Sequence, residues 1–275
     1  MRFFGSKEIK DIVASWVSEN RESLKNKTVV DAPAGNGVTS EYLAKAGACV
    51  LPYDLFPEFF RLEDISCQKA DISDGLPLDS DSVDFWICQE GIEHLSDQVK
   101  VFEEFSRVLK FGGRLLLTTP NASNLKSRFS YLLGESESFS KLLPPNEVDT
   151  IWFAPNECIY FGHAFLVGFF KLRFFGKLSG LELRKIHSTR VNHTAAILFL
   201  FLYPLICWSN FRAAARFRRA NPQIDRSFSK ELFRYSISPK VLLENHLFLE
   251  FEKVSDSSEA KTILKTSKDA HSFCT

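Results

Sequence analysis

Among its 275 residues the chain has one methionine, no Cys-x-x-Cys pair, no net formal charge and no apolar run longer than the fourteen residues Ala195–Trp208. Fourteen falls short of the roughly 20 residues a helix needs to cross a bilayer. The first twenty residues, "MRFFGSKEIKDIVASWVSEN", lack the unbroken apolar core and small-residue cleavage site of a secretion signal and read as an amphipathic helix. The balance of 34 basic and 34 acidic residues excludes a global field that would gather nucleic acid or an acidic substrate, so any basic surface must be local. Cys49, Cys67, Cys88, Cys158, Cys207 and Cys274 are scattered without zinc-type spacing, and three fall in apolar strand-like runs. They read as reduced thiols used as small apolar residues, which implies a reducing, cytoplasmic setting.

What the chain does have is phenylalanine, 27 of them, concentrated in the second half. It also has a regular alternation of apolar runs and amphipathic stretches. "KTVVDA", "ACVLPYD", "SCQKAD", "SVDFWICQ" and "RLLLTTP" read as five strands. A helix "VTSEYLAKAG" ending at Gly47 follows the first. Another, capped by Ser96, carries Phe102, Phe105, Val108 and Leu109 as its apolar stripe and stops at "KFGG". Such alternation implies right-handed crossovers and a doubly wound parallel sheet covered by helices on both faces. "VGFFKLRFFGKLSG" adds a helix, "LELRKIHS" and "HLFLEFEKV" two alternating strands, and "KTILKTSKDAHSFCT" a frayed tail. Residues 1–275 read as one domain. Within it, residues 121–160 form a polar lid beyond the fifth strand, and residues 191–240 an apolar and basic helical insertion before the last strand.

The densest chemistry lies in "TVVDAPAGNGVTSEYLAKAG", Thr28 to Gly47. A strand, a glycine turn and a helix, followed by an acid ending the second strand, is a general way to hold a ribose and a group set against a helix N-terminus. The candidates are Asp31, Gly35, Asn36, Gly37 and Asp54. A dinucleotide turn would carry a third glycine, and Asp31 at its mouth would repel a pyrophosphate while attracting a cationic amino group. Pro33 sits where φ near −65° is tolerated and stiffens the loop. Asp71, past the third strand, is placed to accept from an adenine amino group, with Ile72 against the ring.

In order and spacing, "VVDAPAGNG", "VLPYD", "KADISDGLPLDSDSVDFWICQEGIEHL" and "RVLKFGGRLLLTTPN" resemble the class I S-adenosylmethionine-dependent methyltransferases. The resemblance implies a Rossmann-like seven-stranded sheet, mostly parallel with an antiparallel last strand, and S-adenosylmethionine as cofactor. It implies that Asp31 binds the methionine amino group, Gly35 and Gly37 allow close approach, Asp54 holds the ribose, Asp71 and Ile72 the adenine, and Gln89 faces the sulfonium. Pro33, Asn36 and Leu55 complete that wall.

The acceptor is read from "QEGIEHLSD", at the carboxyl end of the fourth strand. His94 suits a general base for a hydroxyl and Glu93 accompanies it, with a helix-capping or lid-bonding histidine as the alternative. The spacing of Glu90, Glu93 and His94 also resembles metal-using O-methyltransferases of quinone biosynthesis and RNA ends, although the site is expected to hold no metal. His163 in "FGHAF" resembles a substrate-side histidine of small-molecule methyltransferases, or caps the next helix. The fourth strand lacks the proline-aromatic signature of base-methylating enzymes, so nucleic acid is excluded as substrate.

Two acceptor classes stay open: a lipid-linked sugar or surface-glycan precursor, and a prenylated quinone precursor. A methyltransferase fold that binds without turnover is the non-enzymatic alternative. Between Asn210 and Lys230 there are six basic residues and one acid. Together with Tyr203 and Trp208, this suits residues 195–219 to peripheral contact with the inner face of a membrane; a buried core or dimer helix is the rival reading.

Overall fold

The computed structural model describes residues 8–136, 144–148, 150–153 and 159–272. Its centre is a seven-stranded sheet built from β1 (Thr28–Asp31), β2 (Cys49–Asp54), β3 (Gln68–Lys69), β4 (Val83–Gln89) and β5 (Leu109–Pro120). A separate hairpin of β6 (Ile151–Phe153) and β7 (Ile159–Phe161) intervenes before β8 (Leu181–His187) and β9 (His246–Lys253) return to the sheet. The order is β3-β2-β1-β4-β5-β9-β8; the first five strands pair in parallel and β9 runs against both its neighbours. This is the doubly wound sheet with an antiparallel closing strand that the sequence predicts.

The helices are α1 (Ile9–Glu19), α2 (Arg21–Leu24), α3 (Val38–Lys45), α4 (Gln98–Val108), α5 (Leu125–Gly134), α6 (Phe169–Leu178), α7 (His193–Ala220), α8 (Arg226–Ser236), α9 (Pro239–Leu243) and α10 (Ser257–Ser272). Successive strand residues point to opposite faces, and the core divides accordingly. Val30, Trp86, Leu115 and Leu117 join Phe102, Phe105 and Phe251 on one face, while Val29, Phe85, Ile87 and Leu116 join Trp16, Leu43 and Phe248 on the other. The first cluster explains part of the phenylalanine count. Phe102 meets Phe105, Phe175 and Phe251 edge to face at 5.6, 6.0 and 5.8 Å, and Trp86 meets Phe105 at 4.8 Å. Stiff rings in these arrangements fix a core more sharply than flexible methionine would.

Four elements differ from the sequence reading. Helix α4 is capped by Asp97, whose carboxylate accepts from Lys100 N at 3.1 Å, and Leu109 already belongs to β5, so "KFGG" lies inside that strand. The predicted lid opens with helix α5, because the Asn124 side chain accepts from Ser127 N and caps it. The described part of the tail is helical, continuing α10, which begins at Ser257. Helix α7 runs 28 residues, straight through Pro204. The carbonyl that Pro204 leaves without a helical donor is that of Leu200, on the exposed side of the helix, so no buried polar group results.

Candidate active site

From β1 the chain moves outward to β2 and β3, then returns to the other side of β1 as β4. The loops leaving the carboxyl ends of β1 and β4 therefore turn in opposite directions and leave a crevice between them, where such sheets take ligands. A cleft of about 780 Å³ lies there, within the roughly 300–1,000 Å³ typical of small-molecule sites.

Pro33, Gly35, Asn36, Asp54, Leu55, Asp71, Ile72, Gln89, Glu90 and His94 all line this cleft. Gly35 adopts φ +53°, and a Cβ placed on it would meet nothing within 4 Å, so the loop leaves open the space where a side chain would stand. Its amide donates to one Asp54 oxygen at 2.7 Å, and Phe56 N donates to the other at 2.8 Å. These two bonds aim the carboxylate and leave each oxygen further lone pairs for a ligand. Asp71 is fixed by Ser73 N at 2.8 Å, and the Gln89 carbonyl by the Thr39 hydroxyl at 2.8 Å. Gly37 does not line the cleft; it caps the start of α3.

Asp31 and Glu93 lie beneath the cleft rather than in its wall. Asp31 is 1 % exposed; one oxygen accepts from Ser40 Oγ at 2.6 Å, and the other has no partner among the described residues. Burial, with the charge of Asp54 added, lifts its carboxyl to about 7 against the pull of Ser40. Glu93 is fully buried. It accepts from Thr119 Oγ1 at 3.0 Å, has one oxygen without a partner among the described residues, and is raised to about 8 by burial and then by the charge of Glu90.

Glu90 is held differently. It adopts φ +50°, uncommon for a residue with a side chain. Its amide donates to the Thr118 carbonyl and hydroxyl, and its carboxylate accepts from that hydroxyl at 2.9 Å. His94 Nδ1 lies 2.9 Å from the Phe161 carbonyl and 3.1 Å from that of Gly162. Two acceptors at Nδ1 require it to carry the proton, which puts the neutral ring's lone pair on Nε2. Glu90, Glu93 and His94 thus point to different partners, and among the described residues no group of three His, Cys, Asp or Glu side chains is placed to hold a metal ion. The His163 side chain lies outside the described residues.

Several cleft residues carry no signal in the sequence. Ile9 and Lys10 of α1, Phe56 after β2, and Tyr160 and Phe161 of β7 reach the site only through tertiary packing. Phe56 meets Tyr160 edge to face at 4.9 Å, so the β6–β7 hairpin roofs the cleft. Thr39, which orients Gln89, is the residue that the motif could have supplied, because it lies in the first turn of α3.

Residues 30–117 match the family model described as "Methyltransferase domain". A ubiquinone biosynthesis O-methyltransferase of Aliivibrio fischeri is 27% identical over 154 residues, covering 52% of this chain and 64% of that protein. One of Coxiella burnetii is 30% identical over 142 residues, covering 48% and 58%. The matched part thus spans less than two thirds of these relatives. Among solved structures, magnesium protoporphyrin IX methyltransferase from Synechocystis with bound SAH superposes with a TM-score of 0.52 at 14% identity, covering 89% of this chain and 83% of that one. A SAM-dependent methyltransferase from Archaeoglobus fulgidus gives 0.50 at 11% identity, covering 89% and 94%. Seven strands in this order and the cleft at the reversal between β1 and β4 give the chain the fold of these solved methyltransferases, and its residues 30–117 match the methyltransferase domain model.

Proposed function

We propose that the chain transfers a methyl group from S-adenosylmethionine to a hydroxyl on the head group of a membrane-anchored acceptor, working in the cytoplasm at the inner membrane face. The observation that carries the cofactor half is the cleft itself. Its rim is acidic, with Asp54, Asp71 and Glu90 against Lys10, and suits a cation. The open space over Gly35 lets a ligand lie against the backbone, and Ile72 offers an apolar surface beside Asp71 for a base. Asp54 would accept from the ribose hydroxyls, Asp71 from the adenine amino group, and Gln89 would face the sulfonium.

The bound cofactor supplies a methyl group already activated on sulfur, which leaves the protein to align the acceptor, exclude water and remove a proton. Tyr160, Phe161 and Phe56 give one side of the cleft an aromatic lining against which an acceptor ring or chain would pack. With Nδ1 committed to the carbonyls of Phe161 and Gly162, His94 offers Nε2 to the proton that leaves the acceptor hydroxyl. Glu93, raised to about 8, holds its own proton at neutral pH and stiffens the turn through Thr119 instead of acting as base.

Two acceptors share this chemistry, the sugar of a lipid-linked glycan precursor and the phenol of a prenylated quinone precursor. The second is supported by the relatives named for ubiquinone biosynthesis. Labelled cofactor assayed against separated lipid, glycan and quinone extracts decides between them. The expected result is label in one lipid-soluble product, with His94→Ala reducing turnover about 10²- to 10⁴-fold while cofactor affinity changes little. Cofactor binding with no label in any fraction would instead establish a binding protein.

A further inference from the structure

Helix α7 is little buried: 6% of its most apolar eighteen residues is buried, and their mean hydropathy is 1.7. By length and composition it could cross a membrane, but its packing dictates another arrangement. Leu198, Phe199, Tyr203 and Ile206 lie against Leu125 of α5 and Leu242 of α9. Further along, Phe217 meets Phe228 of α8 at 5.8 Å. One side of the helix is therefore bound to the protein along about 30 Å of its length.

The opposite side is one stripe at helical spacing. Ile197, Leu200, Phe201, Leu205 and Trp208 are exposed, Leu200 and Phe201 by 75 and 77%. Arg212, Arg216 and Arg219 continue the same stripe, also exposed. Helix α5, packed beside it, adds exposed Leu132 and Leu133. Where the apolar half gives way to the basic half, the Arg212 guanidinium lies 5.0 Å above the Trp208 ring. Helix α7 contains no acidic residue, and among the described residues no carboxylate pairs with Arg212, Arg216 or Arg219.

We infer that the exposed stripe of α7, widened by the end of α5, docks the protein flat on an anionic phospholipid bilayer. The apolar half enters the acyl boundary, Trp208 sits at headgroup depth, and the arginines meet lipid phosphates. A second copy of the chain fits less well. Pairing two α7 stripes antiparallel would bury arginines against apolar side chains, and pairing them parallel would set arginine against arginine.

The segment between β8 and β9 leaves the sheet after His187, at the carboxyl end of β8, and returns at His246, opposite Pro120 at the carboxyl end of β5. Helix α5 starts from that same end of β5. The docking stripe and the cleft therefore belong to one edge of the sheet, the edge at which a lipid-borne head group would arrive. The inference rests on the membrane-anchored acceptor only for that last point.

The test is flotation of the full chain with phosphatidylcholine vesicles, pure or containing roughly 30% phosphatidylglycerol. Cofactor binding is measured on the same samples, so that the docking surface and the enzymatic reading can fail separately. Binding is expected to the anionic vesicles and to weaken with salt. The double substitution Leu200→Ser, Phe201→Ser should lower it about tenfold or more, and Arg216→Gln and Arg219→Gln about fivefold each, on anionic vesicles only. All variants should keep the wild-type circular dichroism and cofactor affinity. Failure of the folded protein to float with anionic vesicles, binding indifferent to these substitutions, or a solution dimer that Phe201→Ser converts to monomer would each overturn the inference.

Discussion

Asp31 and Glu93 each sit in the protein with one oxygen on a hydroxyl and the other without a partner among the described residues. Burial is the main reason that Asp31 rises to about 7 from 3.8 and Glu93 to about 8 from 4.5. The folded chain therefore keeps these protons at pH values where the unfolded chain has released them. The resulting stability is complete below about pH 4 and is lost as pH rises through 7 and 8. With about 1.4 kcal/mol per pK unit, urea unfolding should show a lower midpoint near pH 8.5 than near pH 5.5. Asp31→Asn and Glu93→Gln should each flatten that slope; a midpoint that climbs with pH would contradict the assignment. At this scale the sequence is partly legible. Asp31 and its partner Ser40 lie nine residues apart in one motif, whereas Glu93 meets Thr119 across 26 residues and His94 meets Phe161 across 67. Their environments come from β5 and the roofing hairpin, which local pattern does not join to the fourth strand.

Elements meet at the cleft through their turns. The turn after β1 and the turn after β4 touch where Pro33 lies on Gly91: a Cβ added to Gly91 would stand 2.5 Å from Pro33 Cδ and 2.6 Å from Cγ. A proline ring cannot swing aside, so Gly91→Ala must push the two turns apart, at a cost of about 1–3 kcal/mol. A lower thermal midpoint and weaker cofactor binding are expected together; an unchanged midpoint would show that the contact is slack. In "QEGIEH" the acids and the histidine stand out, whereas the need for this glycine arises from a residue 58 positions earlier. Strands are the most legible elements, because Phe85–Cys88 of β4 and Leu115–Leu117 of β5 are apolar runs buried on both faces. Helix α5 was hidden by the serines of "LKSRFSYLLG", though Asn124 before Ser127 was an available capping signal.

Across the whole molecule, the cofactor half and the acceptor half differ in how local they are. Residues 30–117 hold the loops that shape the cofactor side, in motif order along the chain, and the same residues match the domain model. The rest of the cleft is lined from α1, the hairpin and the turn after β4, which share no motif, and in the proposed reaction that side would determine what is methylated. In the proposed reaction the cleft between β1 and β4 binds S-adenosylmethionine through Asp54. Calorimetric titration of the full chain with S-adenosylmethionine tests it most directly, beside Asp54→Ala and Asp54→Asn. One-site saturable binding is predicted, weakened about tenfold or more in both variants by loss of charged acceptor bonds to the ligand. No binding by the folded wild-type chain, or equal affinity in all three proteins, would contradict it.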